Sequence, residues 1–156
     1  MCKKIYTKPS LNTHFSSAKS GNTDPEISGK PCLVIIAEFE MSGCTAEEIG
    51  FVLRSSGDGV QQTLLLYHKQ TGVLTFDRSR SDGWSEGAQN AILERTGGEP
   101  LMLHIFVDTS VVEVYADSYR TVMTNNIYPD PASIGLEIFV RGGSVSIISL
   151  DVWKLR

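Results

Sequence analysis

The sequence predicts an all-β protein, an antiparallel two-sheet β-sandwich with a jelly-roll or concanavalin-like arrangement. From Cys32 onward, short runs alternate apolar and polar residues with the period of two that a half-buried strand requires. Gly, Asp and Ser separate these runs where hairpin turns are needed. No segment keeps a 3.6-residue period, which leaves at most a turn or two of helix between Gly87 and Arg95. About nine short strands of this kind favour a sandwich.

The strands can be justified in chain order. In the run after Cys32, apolar side chains at every second position share one face, and Glu38 and Glu40 lie on the other. Residues 49–53 repeat the alternation, and 56–59 (SGDG) supply a hairpin turn that tolerates positive φ. Residues 63–68 and 73–77 continue a meander through the turn at 69–72. After an irregular stretch over 78–100, strands are predicted at 101–107, 111–116, 120–125 and 134–141.

The last apolar run changes parity within a few residues. Val145 and Ile147 share one face, whereas Ile148, Leu150 and Val152 continue on the other. A β-bulge or a bend near Ile147 reconciles the two halves.

Composition indicates one globular domain preceded by a short tail. The chain has 156 residues, of which 41% are apolar, enough to bury a core without disulfides or metal. Five of the seven lysines and two prolines fall in residues 1–30, which we interpret as a tail or linker remnant, with the sandwich over 31–156. A net charge of −4 argues against a nucleic acid partner. The longest apolar run is too short for a membrane span, and no signal peptide is apparent.

The titratable residues do not suggest a catalytic or metal site. A retaining glycosidase needs two carboxyl groups roughly 5 to 5.5 Å apart, in a cleft that binds the sugar. Glu38 and Glu40 are better explained as the solvated face of a strand, and Asp108 as a turn cap. The three histidines are scattered and the three cysteines contain no C-x-x-C pair, so we expect neither a metal site nor a cofactor.

Three aromatic residues are candidates for contact with a carbohydrate, because an aromatic ring offers a flat apolar face and polar edges. Trp84 is the best of them, since it stands in the polar, glycine-bearing segment 81–87. The bland alternative, which we favour, folds Trp84 back over the edge of the core, because tryptophan is usually well buried. Tyr67 and Tyr128 are weaker candidates, and each is expected to pack at the end of a strand.

Four motifs in order resemble one known module, the C-terminal β-sandwich of glycoside hydrolase family 32, the invertases, inulinases and levanases. The resemblance covers about residues 29–156. It rests on FVDTSVVEVYA at 106–116, on Thr124 with Ile-Tyr-Pro at 127–129, on Gly142-Gly143 with SLDVWKL at 149–155, and on LTFDRSRS at 74–81. The chain departs from the family pattern at Asn126 and Val111, where arginine and serine are common.

The resemblance implies a function that the residues do not show by themselves. In that family an N-terminal five-bladed propeller carries the catalytic acids, and its three motifs are absent from this sequence. We therefore expect a non-catalytic domain of a β-fructofuranosidase-type enzyme acting on fructan or sucrose, inactive alone. It would pack against the catalytic propeller and stabilise that domain or its oligomer. An exposed apolar face and self-association of the separate domain are then expected.

Two alternatives stay open at this point. The chain could be a carbohydrate-binding module that holds fructan through Trp84, or, as a weaker third hypothesis, an enzyme in its own right. Enzymes of the family act mostly outside the cell, in vacuoles or in the periplasm. The resemblance therefore implies a secreted, vacuolar or periplasmic parent protein.

Overall fold

The protein is an antiparallel β-sandwich, as predicted. The computed structural model describes residues 3–4, 14–16 and 32–155, in which two separate antiparallel sheets face each other. The predicted boundary between tail and sandwich at about residue 30 falls mostly outside these residues and stays a prediction. In the part of the chain described, no helix is long and apolar enough to cross a membrane.

The larger sheet holds seven strands, two of which are very short. These are β1 (Lys3–Lys4), β2 (His14–Ser16), β3 (Leu33–Glu40), β8 (Leu101–Val107), β9 (Val111–Ala116), β10 (Thr121–Asn126) and β12 (Ser144–Lys154). The strand order is β1-β12-β3-β8-β9-β10, and β2 also pairs with β12. Two short segments from the first thirty residues therefore extend the sheet beside its last strand.

The smaller sheet has five strands, most of them consecutive in the chain. They are β4 (Glu48–Ser55), β5 (Gln62–His68), β6 (Val73–Arg80), β7 (Ala88–Ile92) and β11 (Gly135–Arg141). The order β11-β4-β5-β6-β7 contains the predicted meander, because β4, β5 and β6 pair in series.

The core lies between the two sheets and follows the predicted alternation. In β3, buried residues at odd positions alternate with partly exposed ones at even positions. The rings of Phe39 in the larger sheet and Phe51 in the smaller one meet edge to face, with centroids 6.3 Å apart. The predicted bulge in β12 is confirmed, since the register against β3 shifts between Ile147 and Ser149 and leaves Ile148 exposed.

One element was predicted wrongly. Residues 87–95 were expected to be irregular or briefly helical, but Ala88–Ile92 form the edge strand β7. The strand is exposed at four of its five positions, so it has no apolar alternation to reveal it. Its pairing with β6 comes from backbone hydrogen bonds, which the side-chain pattern does not encode.

Four loops gather at one end of the sandwich. They are 56–61 between β4 and β5, 81–87 between β6 and β7, 108–110 between β8 and β9, and 127–134 between β10 and β11. Gln62 pairs with Arg80 and Gly135 pairs with Ser55, so three of these loops lie at the same strand ends of the smaller sheet. This set is called the loop end below.

Candidate functional site

A single carboxylate, that of Asp82, ties together two loops of the loop end. Its Oδ1 accepts hydrogen bonds from the backbone N–H groups of Trp84 (2.7 Å) and Ser85 (2.6 Å). Its Oδ2 accepts one from the backbone N–H of Tyr128 (2.8 Å) in the loop 127–134. The hydroxyls of Ser81 (2.9 Å) and Ser85 (2.8 Å) also donate to Oδ2. Both oxygens of Asp82 are thus fully used.

The electrostatics of Asp82 follow from these contacts. Burial raises the pKa of the carboxyl, but hydrogen bonds from Ser85, Trp84 and Tyr128 outweigh burial and hold the pKa well below its usual range. The group therefore stays ionised, and it remains an acceptor on both oxygens at any physiological pH.

Trp84 stands out from the surface, with 88% of its side chain exposed. The expectation that it folds back over the core edge is wrong. The reason is local: Asp82 binds the two N–H groups that follow Gly83, which has φ 87°, and the resulting turn carries the indole away from the sandwich. The alternative reading of Trp84, as an exposed contact, therefore has a ring available for it.

Tyr128 is the second exposed aromatic residue of this site, at 58% exposure. It lies on a different loop from Trp84, and the shared carboxylate of Asp82 brings the two backbones together. Pro129 beside it is buried, which fixes the base of the loop. The backbones of two of the three predicted aromatic candidates therefore lie close together.

Tyr67 does not join them. Its side chain is 4% exposed, on the inner face of β5, so no ring face is available to a ligand. Burial raises the pKa of its hydroxyl. The hypothesis that Tyr67 contacts carbohydrate is not supported by this position.

Three arginines brace the loop end, and one of them, Arg54, does so from within. Arg54 is 3% exposed, and its Nε donates to the carbonyl of Ser133 at 2.7 Å, while Nη1 donates to the carbonyls of Asp108 and Thr109. Burial lowers the pKa of the Arg54 guanidinium, which the nearby Cys32 and Asp108 partly offset.

The other two arginines belong to the segment 77–81. Arg78 donates to the carbonyl of Asn126 at 3.0 Å, and Arg80 to that of Gly59 at 2.7 Å. Asp77 accepts the N–H of Ser79. The segment therefore links the loops that carry Val60, Trp84 and Tyr128, and these are the exposed apolar side chains of the loop end.

The other titratable residues singled out in the sequence take no part in the hydrogen bonds of Asp82 among the described residues, although Asp108 belongs to the loop end. Glu38 and Glu40 are partly exposed on the outer side of β3, as expected of a strand face. Asp108 accepts the N–H of Thr109, which confirms its role as a turn cap. His68 Nδ1 lies 3.4 Å from Glu48 Oε1, and His104 Nδ1 lies 2.9 Å from the hydroxyl oxygen of Tyr119. The side chain of His14 falls outside the described residues.

No group of three or more His, Cys, Asp or Glu side chains that could hold a metal occurs in the described ranges.

Two residues that hold the loop end, Asp82 and Arg54, were not predicted from the sequence. Asp82 opens the sequence Asp-Gly-Trp-Ser, and an Asp-Gly pair is typical of a turn, but nothing in the sequence revealed the bond of Asp82 to Tyr128. Arg54 is the last but one residue of β4 and has φ 52°, and the register against β11 shifts there, so that a bulge turns its side chain inward. Its burial could not be read from the charge.

Comparison with known proteins identifies the family to which this architecture belongs. The family model described as "Glycosyl hydrolases family 32 C terminal" matches residues 2–154. The chain belongs to glycoside hydrolase family 32, as its C-terminal domain. The resemblance read from the four motifs is thereby confirmed, and the family 32 domain carries its Asp-Arg-Ser-Arg-Ser segment at the loop end described above.

The curated relatives of this family 32 domain are longer proteins. It is 35% identical over 128 residues to a levanase of Bacillus subtilis, a match that covers 78% of this chain and 18% of the levanase. A fructan beta-fructosidase of Streptococcus mutans is 33% identical over 126 residues, or 78% of this chain and 9% of that protein. The chain thus spans less than a fifth of their length.

Solved structures share the same fold. The domain superposes on exo-inulinase from Aspergillus awamori with a TM-score of 0.73 at 20% identity, over 100% of this chain and 29% of that one. Sheep galectin-11 superposes with a TM-score of 0.58 at 18% identity, over 81% of this chain and 92% of the galectin. At these identities the likeness shows the fold alone.

Proposed function

We propose that the chain is a non-catalytic domain that packs on the catalytic domain of a β-fructofuranosidase-type glycoside hydrolase and stabilises that domain or its oligomer. The observation that carries this proposal is the match to the family's C-terminal model, together with the small share of each relative that it covers. By the names of those relatives, the parent enzyme would act on a fructan such as levan or on a related sucrose-type sugar.

Apolar residues on the outer faces of both sheets support the packing role. Val34 and Ile36 alternate with buried residues of β3 and therefore lie on its outer side, and Leu64 and Leu66 do the same in β5. An outer face that meets only water normally carries polar residues at such positions. A further protein surface would bury them.

A chimera tests the stabilising role. The levanase of Bacillus subtilis would be prepared intact, without its matching segment, and with this chain in place of that segment. We expect deletion of the segment to lower the melting temperature of the levanase by roughly 5 °C or more, because each kcal/mol of lost stability lowers it by a few degrees. Insertion of this chain should restore much of the loss. A Leu66→Glu chain should restore less than a Gln70→Glu control in the exposed β5–β6 turn. Unchanged stability after deletion would contradict the proposal.

Carbohydrate binding is the second proposed function, with Trp84 and Tyr128 as the contacts. The exposed rings on two loops held by one carboxylate favour it, because a sugar stacks on an exposed aromatic face. Tyr67 is left out because it is buried. The expected ligands are fructans and sucrose-type sugars.

Titration of the chain with levan, inulin and sucrose tests this second function. Saturable binding that Trp84→Ala reduces about tenfold or more is expected, the size of one lost stacking contact. Val60→Ala, at another exposed position of the loop end, is the control. No saturable binding of any of the three sugars would refute a binding role and leave only the stabilising one.

The same preparation tests whether the chain acts as an enzyme. We propose that it releases no fructose from levan or sucrose, since the three acidic motifs of the family's catalytic domain do not occur in its sequence. Measurable release by chain purified without an affinity tag would overturn this assignment.

We also propose that the parent enzyme works outside the cytoplasm, whether secreted, vacuolar or periplasmic. The relative from Aspergillus awamori, 24% identical over 153 residues, is named an extracellular exo-inulinase, which supports this location. Fractionation of the source cells with an antibody to the chain checks it, and a purely cytoplasmic signal would contradict it.

A further inference from the structure

The two exposed rings of the loop end are closer than their separation of 44 positions in the chain suggests. The backbone nitrogens of Trp84 and Tyr128 donate to the two oxygens of the Asp82 carboxylate at 2.7 and 2.8 Å. Because a carboxylate is small, those nitrogens lie within about 8 Å of each other. The side chains that grow from them are 88% and 58% exposed. Two exposed rings therefore start from backbone positions that lie close together.

We propose that Asp82 is a positioning residue that joins Trp84 and Tyr128 into one binding surface for a fructan chain, as opposed to a single sugar. The inference rests on the carbohydrate-binding function proposed above and adds to it the class of ligand and the residue that builds the site. Asp82 itself touches no sugar in this arrangement, because its two oxygens are occupied by five donors from the protein.

A chain is the ligand that such a surface favours. Each exposed ring can stack against one sugar unit, and two units of one polymer bind with the advantage of linkage, since the second contact forms at high effective concentration. A monosaccharide can gain only one such contact, and a disaccharide offers at most two units. Levan should therefore bind more tightly per molecule than sucrose.

The advantage depends on holding the two loops in a fixed relation before the ligand arrives. Asp82 does this from a protected position, because Ser81 beside it is fully buried and Ser85 donates to it twice. The loop of Tyr128 is further held by Gln61, whose Oε1 accepts from the N–H of Asp130 at 3.0 Å. Without Asp82 each ring would still be exposed, but the cost of ordering the loops would fall on binding.

Asn is the sharpest substitution at position 82. It preserves the size of the side chain and one acceptor oxygen, but it replaces the other oxygen by an NH2 group that cannot accept a hydrogen bond. The oxygen can keep the N–H groups of Trp84 and Ser85, and the NH2 group then faces the N–H of Tyr128. Asp82→Asn thus separates the two loops while leaving the turn at Trp84 formed.

Two measurements on the 156-residue chain test the proposal. Amide hydrogen exchange, followed by NMR, reports the bonds of Trp84, Ser85 and Tyr128 whether or not any sugar binds. Titration with levan and with sucrose reports the binding surface. The variants are Asp82→Asn, Tyr128→Ala and, as the matched control, Glu86→Gln, which makes the same change from acid to amide at an exposed position of the same loop.

In Asp82→Asn we expect the Tyr128 amide to exchange about tenfold faster or more, as loss of a hydrogen bond to a charged group implies, with Trp84 and Ser85 little changed. Levan affinity should fall to the level of Tyr128→Ala, while sucrose affinity changes less than twofold. Glu86→Gln should match the native chain in both measurements.

Unchanged exchange of the Tyr128 amide in Asp82→Asn would overturn the positioning role even if levan binds. Equal levan affinity of Asp82→Asn and the native chain would also overturn it. If the native chain binds no levan, the carbohydrate function fails and the assigned ligand with it, whereas the exchange data still decide whether Asp82 joins the loops. Equal affinity per molecule for levan and sucrose would refute the preference for a chain.

Discussion

Asp117 shows how a single buried charge holds the two sheets together at the end opposite the loop end. Its side chain is 3% exposed, in the turn between β9 and β10 of the larger sheet. Its Oδ1 forms an ion pair with Arg95, which follows β7 of the smaller sheet and is itself nearly buried. Three successive residues, Asp117, Ser118 and Tyr119, have φ between 54° and 66°, so the ion pair is held by a turn of unusual conformation for non-glycine residues.

We predict that Asp117→Asn lowers the free energy of unfolding by about 3–5 kcal/mol, because it leaves the Arg95 charge buried without its partner. Asparagine tolerates positive φ, so the turn itself adds little to the loss. Urea denaturation followed by circular dichroism measures the change. Glu99→Gln removes the carboxylate of an exposed pair with Arg120 and should cost at most about 1 kcal/mol. Equal losses in the two variants would show that burial does not matter here.

At this scale the sequence reveals residue types but not their partners. Trp84 could be singled out because a large aromatic residue in a polar segment is unusual, yet its exposure depends on Asp82, whose decisive bond reaches 46 positions along the chain to Tyr128. Arg95 and Asp117 look like ordinary surface charges in the sequence. Their pairing depends on the packing of two sheets, which a local pattern cannot contain.

At the scale of elements, Gly50 marks a close approach of two strands within the smaller sheet. It lies in β4 opposite Phe139 of β11, and the ring of Phe139 covers it. The guanidinium of Arg141 lies 4.6 Å from the centroid of that ring, and its Nη1 bonds to Glu48 at 2.9 Å. A side chain at position 50 would displace this arrangement, which holds the edge strand β11 on the sheet.

Gly50→Ala should destabilise the domain by about 1–3 kcal/mol, the usual cost of overpacking. Its Cβ would lie 2.4 Å from the carbonyl oxygen of Leu65 and 2.5 Å from the ring of Phe139, and the first of these is backbone that cannot turn away. Gly57→Ala, where a Cβ meets nothing within 4 Å, is the control and should change stability little. Thermal unfolding of both variants checks the difference. A milder effect at Gly50 than at Gly57 would contradict the argument.

The strands differ in how far the sequence can predict them, for a physical reason. Those with one face in the core, such as β3, carry the alternation that identifies them, and the bulge in β12 follows from a break in that alternation. The edge strand β7 buries almost nothing and depends on backbone bonds to β6, so it was missed. Burial therefore sets the limit of prediction for elements as well as for residues.

At the scale of the whole molecule, the outer faces of the sheets, more than the core, decide where a partner can pack. The four motifs were sufficient to find the family, which the match over residues 2–154 confirms. They could not show which surface meets a partner, because the apolar outer residues of β3 and β5 resemble core residues in the sequence. Only the pairing of strands shows that Leu64 and Leu66 point away from the other sheet.

The partly exposed apolar residues on this outer face lead to a prediction for the separate domain. If Leu64 and Leu66 normally pack on a neighbouring domain, removal of that domain leaves them in contact with water. Two copies of the chain can then bury these residues against each other without desolvating polar groups. We expect sedimentation velocity to show reversible association that rises with protein concentration. The double variant Leu64→Lys, Leu66→Lys should abolish this association, because charged side chains on the face resist burial. Paired substitutions in the exposed turn 69–72 should leave the association unchanged. A native chain that stays monomeric at the highest concentration would show that this face needs no partner, and the packing role would then have to rest on the outer face of β3.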